Sequence, residues 1–330
     1  MLSNSWRQLA RWINALVFGL VAVCCQPAAA FTGLYAFGDS LSDTGNIYIA
    51  TGGAQPSPGQ PYFNGRFSNG PVWVETLAAG LGLASHAAPF LAGGSNYAFG
   101  GARTGTSGSP PGVLAQLGGL WAPSHPVADP NALYIVVAGL NDVRDARSGG
   151  GAPAVDAAQQ NLFSAVTLLA QRGAKHVLIA NLADLGATPE AAALGLQAPS
   201  TALTLVFNAY LATFEAALEG TFTGLDVDLL DMFGLDAAIR QDALNNGGAT
   251  YGITNVTSPC AGFTGSAGAS CDVSLFSDAL HPSARTHAIL GAAALDLIAP
   301  AQQAPEPGTL ALLGLGLAGL AAARRREKSR

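Results

Sequence analysis

Lysine is almost missing from the body of this 330-residue chain: between residues 31 and 300 only Lys175 occurs. That stretch holds 8 Lys and Arg against 19 Asp and Glu, a net charge near −11, compared with −6 for the whole chain. A surface of that sign repels phosphate and argues against nucleic acid or an anionic membrane as the main partner. Metal and nucleotide signatures are missing too. Neither a His-Glu-x-x-His pair nor a Gly-x-x-x-x-Gly-Lys loop occurs, so no cofactor is implied. The Gly-x-Ser-x-Gly elbow is not found in a strand–turn–helix context, which disfavours an ordinary α/β-hydrolase. No repeat of 20–50 residues is evident. Cysteine is scarce, with four residues in two pairs, Cys24 and Cys25, and Cys260 and Cys271.

Long apolar runs are confined to the two ends. Arg7 and Arg11 precede the run Ala15 to Val23, and Pro27-Ala28-Ala29-Ala30 follows with small residues. This is the three-part pattern of a secretory signal peptide over 1–30, cut after Ala30 by signal peptidase; an uncleaved anchor is the alternative. At the other end, Pro305-Glu306-Pro307 precedes a mostly apolar stretch, 308–323, and Arg324-Arg325-Arg326 opens a basic terminus. As a helix those residues would span roughly 24 Å, a little short of the ~30 Å hydrocarbon core. The pattern resembles the PEP-CTERM sorting signal of Gram-negative bacteria. That resemblance implies an exosortase as partner, removal of the tail, and delivery to the cell surface or its exopolysaccharide. A plain C-terminal membrane anchor is the alternative. Either reading puts 31–300 outside the cytoplasm, as one domain joined through a linker to the tail (301–330). In an oxidising compartment Cys260 and Cys271 are expected to form a disulfide. Closing a loop of about 12 residues is worth roughly 3 kcal/mol in the chain-entropy picture. Zinc is a weaker reading, because no Cys or His flanks the pair at ligand spacing.

Apolar runs bounded by turn residues predict buried parallel strands at 33–37, Leu133–Val137, His176–Ala180 and 225–230. Between them, helical patterns cover 72–83, 154–171, 200–218 and 282–298. Ser200 or Thr201 is expected to cap the third, and Pro282 to sit in the first turn of the fourth. Strands alternating with helices predict an α/β fold, a mostly parallel sheet covered on both faces. Gly/Pro/Ser-rich stretches at 51–61, 105–112, 149–153 and 251–270 read as surface loops. Two of them are expected to frame the mouth of a site, with substrate pockets in loops such as 51–61 and 251–270.

Four short blocks carry the chemistry. The first is Phe37-Gly38-Asp39-Ser40-Leu41-Ser42-Asp43-Thr44-Gly45-Asn46. It puts a serine hydroxyl at the carboxyl end of a strand, where ligands sit in open α/β sheets. The second is Gly94-Ser95-Asn96-Tyr97-Ala98-Phe99-Gly100-Gly101-Ala102, the third Gly139-Leu140-Asn141-Asp142, the fourth Asp278-Ala279-Leu280-His281-Pro282. Alone, each is ambiguous: Gly-Asp-Ser is common, the glycines could form a plain turn, Asn141 could cap a helix, and Asp278 and His281 could lie at a helix start. In this order, over nearly the whole mature domain, the blocks resemble the GDSL (SGNH) hydrolase family of esterases and lipases. The segment 64–73 is similar to one in its longer, phospholipase/lecithinase-like members, although Arg66 and Asn69 could simply cap the helix at Val72.

The resemblance implies a flavodoxin-like three-layer α/β/α fold with a mostly parallel five-stranded sheet of order 2-1-3-4-5. It implies Ser40 as nucleophile, His281 as base and Asp278 as the carboxylate that orients it. The oxyanion hole would be the Ser40 and Gly101 backbone N–H groups and the Asn141 amide. The expected activity is carboxylic ester hydrolysis by a monomer, on a lipid, a short-chain ester or an acetylated glycan. Acyl transfer from the same site, or a non-catalytic matrix protein on the same fold, are the alternatives.

Overall fold

The computed structural model describes residues 31–298. The expected signal peptide and the linker with its sorting tail lie outside the described residues. In chain order come β1 (Leu34–Gly38), α1 (Asn46–Ala50), α2 (Trp73–Gly80), β2 (Leu133–Val137), α3 (Leu140–Ala146), α4 (Gly151–Gln171), β3 (His176–Ala180) and α5 (Pro189–Leu194). Then follow α6 (Gln197–Thr221), β4 (Asp226–Leu230), α7 (Met232–Asn246), β5 (Asn255–Pro259), β6 (Ser274–Phe276) and α8 (Ala284–Ile298).

Strands β1 to β4 form one parallel sheet in the order β1-β2-β3-β4. The inner strands are apolar on both faces, as a doubly covered sheet requires. Alternate residues of β2 divide between two cores. Tyr134 and Val136 pack in the core that includes Val155 and Leu162 of α4 and Phe207 and Leu211 of α6. Leu133, Ile135 and Val137 pack in the core that includes Trp73 and Leu77 of α2 and Leu290 of α8. The result is a three-layer α/β/α arrangement. β4 is an edge, and its Asp226 and Asp228 keep that edge polar.

The fifth strand position is occupied irregularly. Segment 95–99 runs beside the free edge of β1 with a parallel bridge between Ala36 and Asn96. The Tyr97 N–H donates to the Ala36 carbonyl (2.7 Å) and the Phe99 N–H to the Gly38 carbonyl (3.1 Å). Counting this ribbon gives the order 2-1-3-4-5, with four regular strands rather than five. Asn96 accounts for the irregularity. Its side chain donates to the Ser42 carbonyl (2.7 Å) and accepts from the Ala98 N–H (2.9 Å), bending the chain toward the turn after β1.

Several local expectations need correction. Residues 251–270 are not all loop: they contain β5, which pairs in parallel with β6. Helix α6 begins at Gln197, so neither Ser200 nor Thr201 caps it; the Thr201 hydroxyl donates to Asp184 instead (2.8 Å). Pro282 precedes α8 and bridges to Phe276. Asn69 does not cap α2. Its Oδ1 accepts from the Ala284 N–H (2.8 Å) and so holds the start of α8. The start of α2 is closed by Glu75, which accepts from the Val72 N–H (2.9 Å) and pairs with Arg66 (2.6 Å). Cys260 and Cys271 form the expected disulfide.

Candidate active site

The chain leaves β1 on one side for segment 95–99 and returns on the other as β2. The carboxyl ends of these strands are therefore the topological switch point, the place where open α/β sheets bind ligands. Gly38 ends β1. A Cβ there would lie 2.3 Å from the Val137 carbonyl oxygen, so only glycine allows this approach of β1 to β2. Immediately after it, the Asp39 carbonyl accepts from the Ser42 (3.1 Å) and Asp43 (3.0 Å) N–H groups, and the tight turn presents Ser40.

The first three blocks are tied to one another. The Asp43 carboxylate accepts from the backbone N–H groups of Gly45, Asn46, Ile47 and, across the chain, Gly100 (2.7 Å). Asn46 donates to the carbonyls of Asn96 and Ala98 (2.7 and 2.8 Å). Asn141, in the first turn of α3, donates from Nδ2 to the Ala102 carbonyl (2.9 Å). Asp142 accepts from the Thr104 hydroxyl (2.9 Å). These bonds bring Gly101 and Asn141 beside Ser40 in one cleft, which Phe67 and His281 also line. Gly101 has φ of +82°, a left-handed conformation that favours glycine. Among the described residues, neither the Ser40 nor the Gly101 backbone N–H has a hydrogen-bond acceptor.

The fourth block reaches the same cleft from β6. Ser277 donates from its N–H to the His281 carbonyl (2.9 Å), closing a tight loop. His281 Nε2 lies 2.9 Å from Ser40 Oγ, and His281 Nδ1 lies 2.7 Å from Asp278 Oδ2. Asp278 Oδ1 accepts from the N–H groups of Leu280 (2.8 Å) and His281 (2.6 Å). Burial alone would raise the Asp278 carboxyl. The His281 charge, hydrogen bonds from that residue's ring and backbone, and one from the Tyr62 hydroxyl outweigh it, holding the group well below the usual carboxylate range. An ionised Asp278 fixes the His281 proton on Nδ1 and leaves the Nε2 lone pair facing the serine hydroxyl. A serine, a base and a carboxylate linked in this way can perform nucleophilic acyl chemistry.

Two side chains at this site were not read as part of it: Tyr62 carried no local signal, and Phe67 lies in the segment 64–73, whose role the sequence leaves open. Tyr62, in the stretch after the 51–61 loop, donates its hydroxyl to Asp278 Oδ2 (2.5 Å), 216 residues away. The ring of Phe67 packs 5.0 Å from that of His281. The cleft mouth is framed by Thr51 and Gln55 from one glycine-rich loop and Ser109 and Pro110 from another. Among the described residues, none of the stretch 251–270 lines this cleft, against expectation. Asp39 points elsewhere, into a small apolar cavity of about 60 Å³ lined by Leu41, Leu182 and Met232. Among the described residues its Oδ2 has no hydrogen-bond partner, and burial pushes its carboxyl up to about 7. His287, fully buried on α8, is pushed down to about 3 by burial and then by the charge of His281; it accepts from the Trp73 N–H (3.3 Å). It is a neutral packing group.

The family model for GDSL-like lipase/acylhydrolase matches residues 34–294, most of the chain. The chain belongs to the GDSL-like lipase/acylhydrolase family. A second model, the PEP-CTERM protein-sorting motif, matches residues 303–326. Among curated relatives of this family member, the phosphatidylcholine-sterol acyltransferase of Aeromonas hydrophila is 30% identical over 281 residues, covering 77% of this chain and 73% of that one. The thermolabile hemolysin of Vibrio parahaemolyticus is 33% identical over 159 residues, covering 47% of this chain and 34% of that one. Among solved structures, a lipolytic G-D-S-L family member from Veillonella parvula aligns with 81% of this chain and 98% of that one, at a TM-score of 0.45 and 15% identity. Esterase or acyltransferase chemistry is what membership of this family supports, and the sorting motif points to export and surface delivery.

Proposed function

We propose that the chain is a secreted serine esterase that hydrolyses carboxylic esters through an acyl-enzyme on Ser40. The observation that carries this reading is the unbroken chain Ser40 Oγ, His281 Nε2, His281 Nδ1, Asp278 Oδ2, with 2.9 Å at its first link and 2.7 Å at its second. Ser40 Oγ attacks the ester carbonyl while its proton passes to His281 Nε2. Asp278 stabilises the imidazolium that forms. The developing oxyanion is met by the Ser40 and Gly101 N–H groups and by the second N–H of Asn141 Nδ2, the first being held by the Ala102 carbonyl. His281 then returns the proton to the leaving alcohol. Water, deprotonated by the same imidazole, resolves the acyl-enzyme and frees Ser40.

The signal-like pattern expected at 1–30, the disulfide and the sorting motif together support action outside the cytoplasm. Lipids, short-chain esters and acetylated glycans are the substrate classes to compare. Ser40→Ala should abolish hydrolysis of short p-nitrophenyl esters in a protein that still folds; turnover at the wild-type rate would sink the reading. A second reading is acyl transfer, in which an alcohol rather than water resolves the acyl-enzyme. It is favoured by the likeness to the Aeromonas hydrophila acyltransferase. Ester products formed when alcohols are added would establish it.

A further inference from the structure

We propose that Tyr62 is a positioning residue for the Asp278–His281 pair, and that the Cys260–Cys271 disulfide supports catalysis by holding Tyr62 through Phe263. The inference rests on the reading of Ser40, His281 and Asp278 as the reacting chain.

An ionised carboxylate offers about four lone-pair positions. Asp278 fills them with four donors. Its Oδ1 takes the backbone N–H groups of Leu280 and His281, and its Oδ2 takes His281 Nδ1 (2.7 Å) and the Tyr62 hydroxyl (2.5 Å). Three of these donors come from the carboxylate's own loop. Tyr62 is the one that arrives from another part of the chain, so it ties that loop to the rest of the domain. Without it, Oδ2 is held by the imidazole alone, and the carboxylate can turn about the Oδ1 that its own loop holds, carrying the ring with it. The phenol keeps its proton, because burial and then the Asp278 charge hold it well above its ordinary value.

Tyr62 is itself held by aromatic neighbours. Phe263 meets its ring edge-on at 5.1 Å, and Phe67, which packs on His281, lies 5.9 Å away. Edge-on and tilted pairs of this kind contribute beyond simple burial. Phe263 is fully buried, yet it belongs to the short loop closed by Cys260 and Cys271. The rest of that loop is made of small residues and Thr264, with no other large apolar residue in its sequence. Cys260 is anchored, its N–H bonded to the carbonyls of Phe276 and Ser277 (both 3.1 Å). Backbone bonds within the loop, from the Ala261 N–H to the Ala269 carbonyl (2.8 Å) and from the Ser266 N–H to the Phe263 carbonyl (2.7 Å), shape it around Phe263, and the covalent link at Cys271 closes it. The path therefore runs from the disulfide through Phe263 and Tyr62 to Asp278, and it bypasses the cleft.

The test is a kinetic cycle on the oxidised protein, assayed well below the melting temperature of every variant. Tyr62→Phe should lower kcat about tenfold, the order expected for one hydrogen bond to a charged group, with KM unchanged. Phe263→Ala should show the same signature, more weakly. The double variant Cys260→Ser/Cys271→Ser should lower kcat in the wild-type background and have no further effect in the Tyr62→Phe background, since contacts acting along one path are not additive. If Tyr62 merely anchored the loop that supplies Thr51 and Gln55 to the cleft wall, its variant would raise KM instead, and the inference would fall. Additive losses from disulfide removal and Tyr62→Phe would also overturn it. Ser40→Ala separates the two levels. An inactive Ser40→Ala beside an unaffected Tyr62→Phe defeats this inference alone, whereas an active Ser40→Ala defeats the reading beneath it.

Discussion

Asn141→Ala tests the oxyanion hole at a single donor. In the folded chain one hydrogen of Asn141 Nδ2 is committed to the Ala102 carbonyl at 2.9 Å, which fixes the plane of the amide. The second hydrogen remains for the cleft that Ser40 and Gly101 share. Removing the side chain therefore has two separable effects. The transition state loses one of three donors, which costs about 3–4 kcal/mol, or roughly 10² to 10³ in kcat. The Ala102 carbonyl loses its partner, which costs about 1 kcal/mol of stability and lowers the melting temperature by only about 2–4 °C for a domain of this size. The assay is steady-state hydrolysis of p-nitrophenyl acetate and butyrate, with a thermal melt on the same sample. KM should change little, because the donor acts on charge that develops only in the transition state. Asn141→Asp sharpens the result: it keeps the shape but turns an acceptor toward both the Ala102 carbonyl and the oxyanion, so it should be no better than alanine. A folded Asn141→Ala protein with kcat within threefold of wild type would refute the assignment.

Asp278→Asn would turn an amide N–H₂ or a lone amide oxygen toward two donors, His281 Nδ1–H and the Tyr62 hydroxyl. The imidazole then favours the tautomer that is protonated on Nε2, and kcat should fall by up to about 10⁴; a loss of less than tenfold would contradict the geometry. Asp39→Asn concerns stability. The Asp39 carboxyl is raised by burial from 3.8 to about 7, so the folded state holds its proton more tightly than the unfolded chain does. Stability on this account is greatest below pH 4 and declines as pH climbs through 7, at a cost on the order of 4 kcal/mol once the group is charged. The asparagine variant removes that penalty. Its melting temperature should exceed that of the wild type at pH 8 and match it at pH 4; an equal difference at both pH values would contradict the burial argument.

How much of this was legible in the sequence follows from the range of each interaction. Strands β2 and β3 were readable to the residue because both are apolar on both faces and flanked by turn residues. β5 was not, because Val256 is its one buried residue and its partner strand lies 19 residues on. The start of α6 was misread for a related reason: Ser200 and Thr201 look like caps, but Thr201 is used by Asp184 from another loop. The candidate site was legible block by block, since the Ser40 turn, the glycine pair, Asn141 and the Asp278–His281 step are each built from neighbours in sequence. What joins the blocks was not legible. Tyr62 to Asp278 and Asn69 to Ala284 are pairings across more than 200 residues, and neither residue type announces such a partner.

The central claim is that Ser40 is an activated nucleophile. A fluorophosphonate probe followed by peptide mass analysis measures this directly. Stoichiometric labelling at Ser40 is expected, lost in His281→Ala and slowed by a competing excess of ester substrate. An unlabelled Ser40 in the folded, oxidised protein, or equal labelling with and without His281, would contradict it.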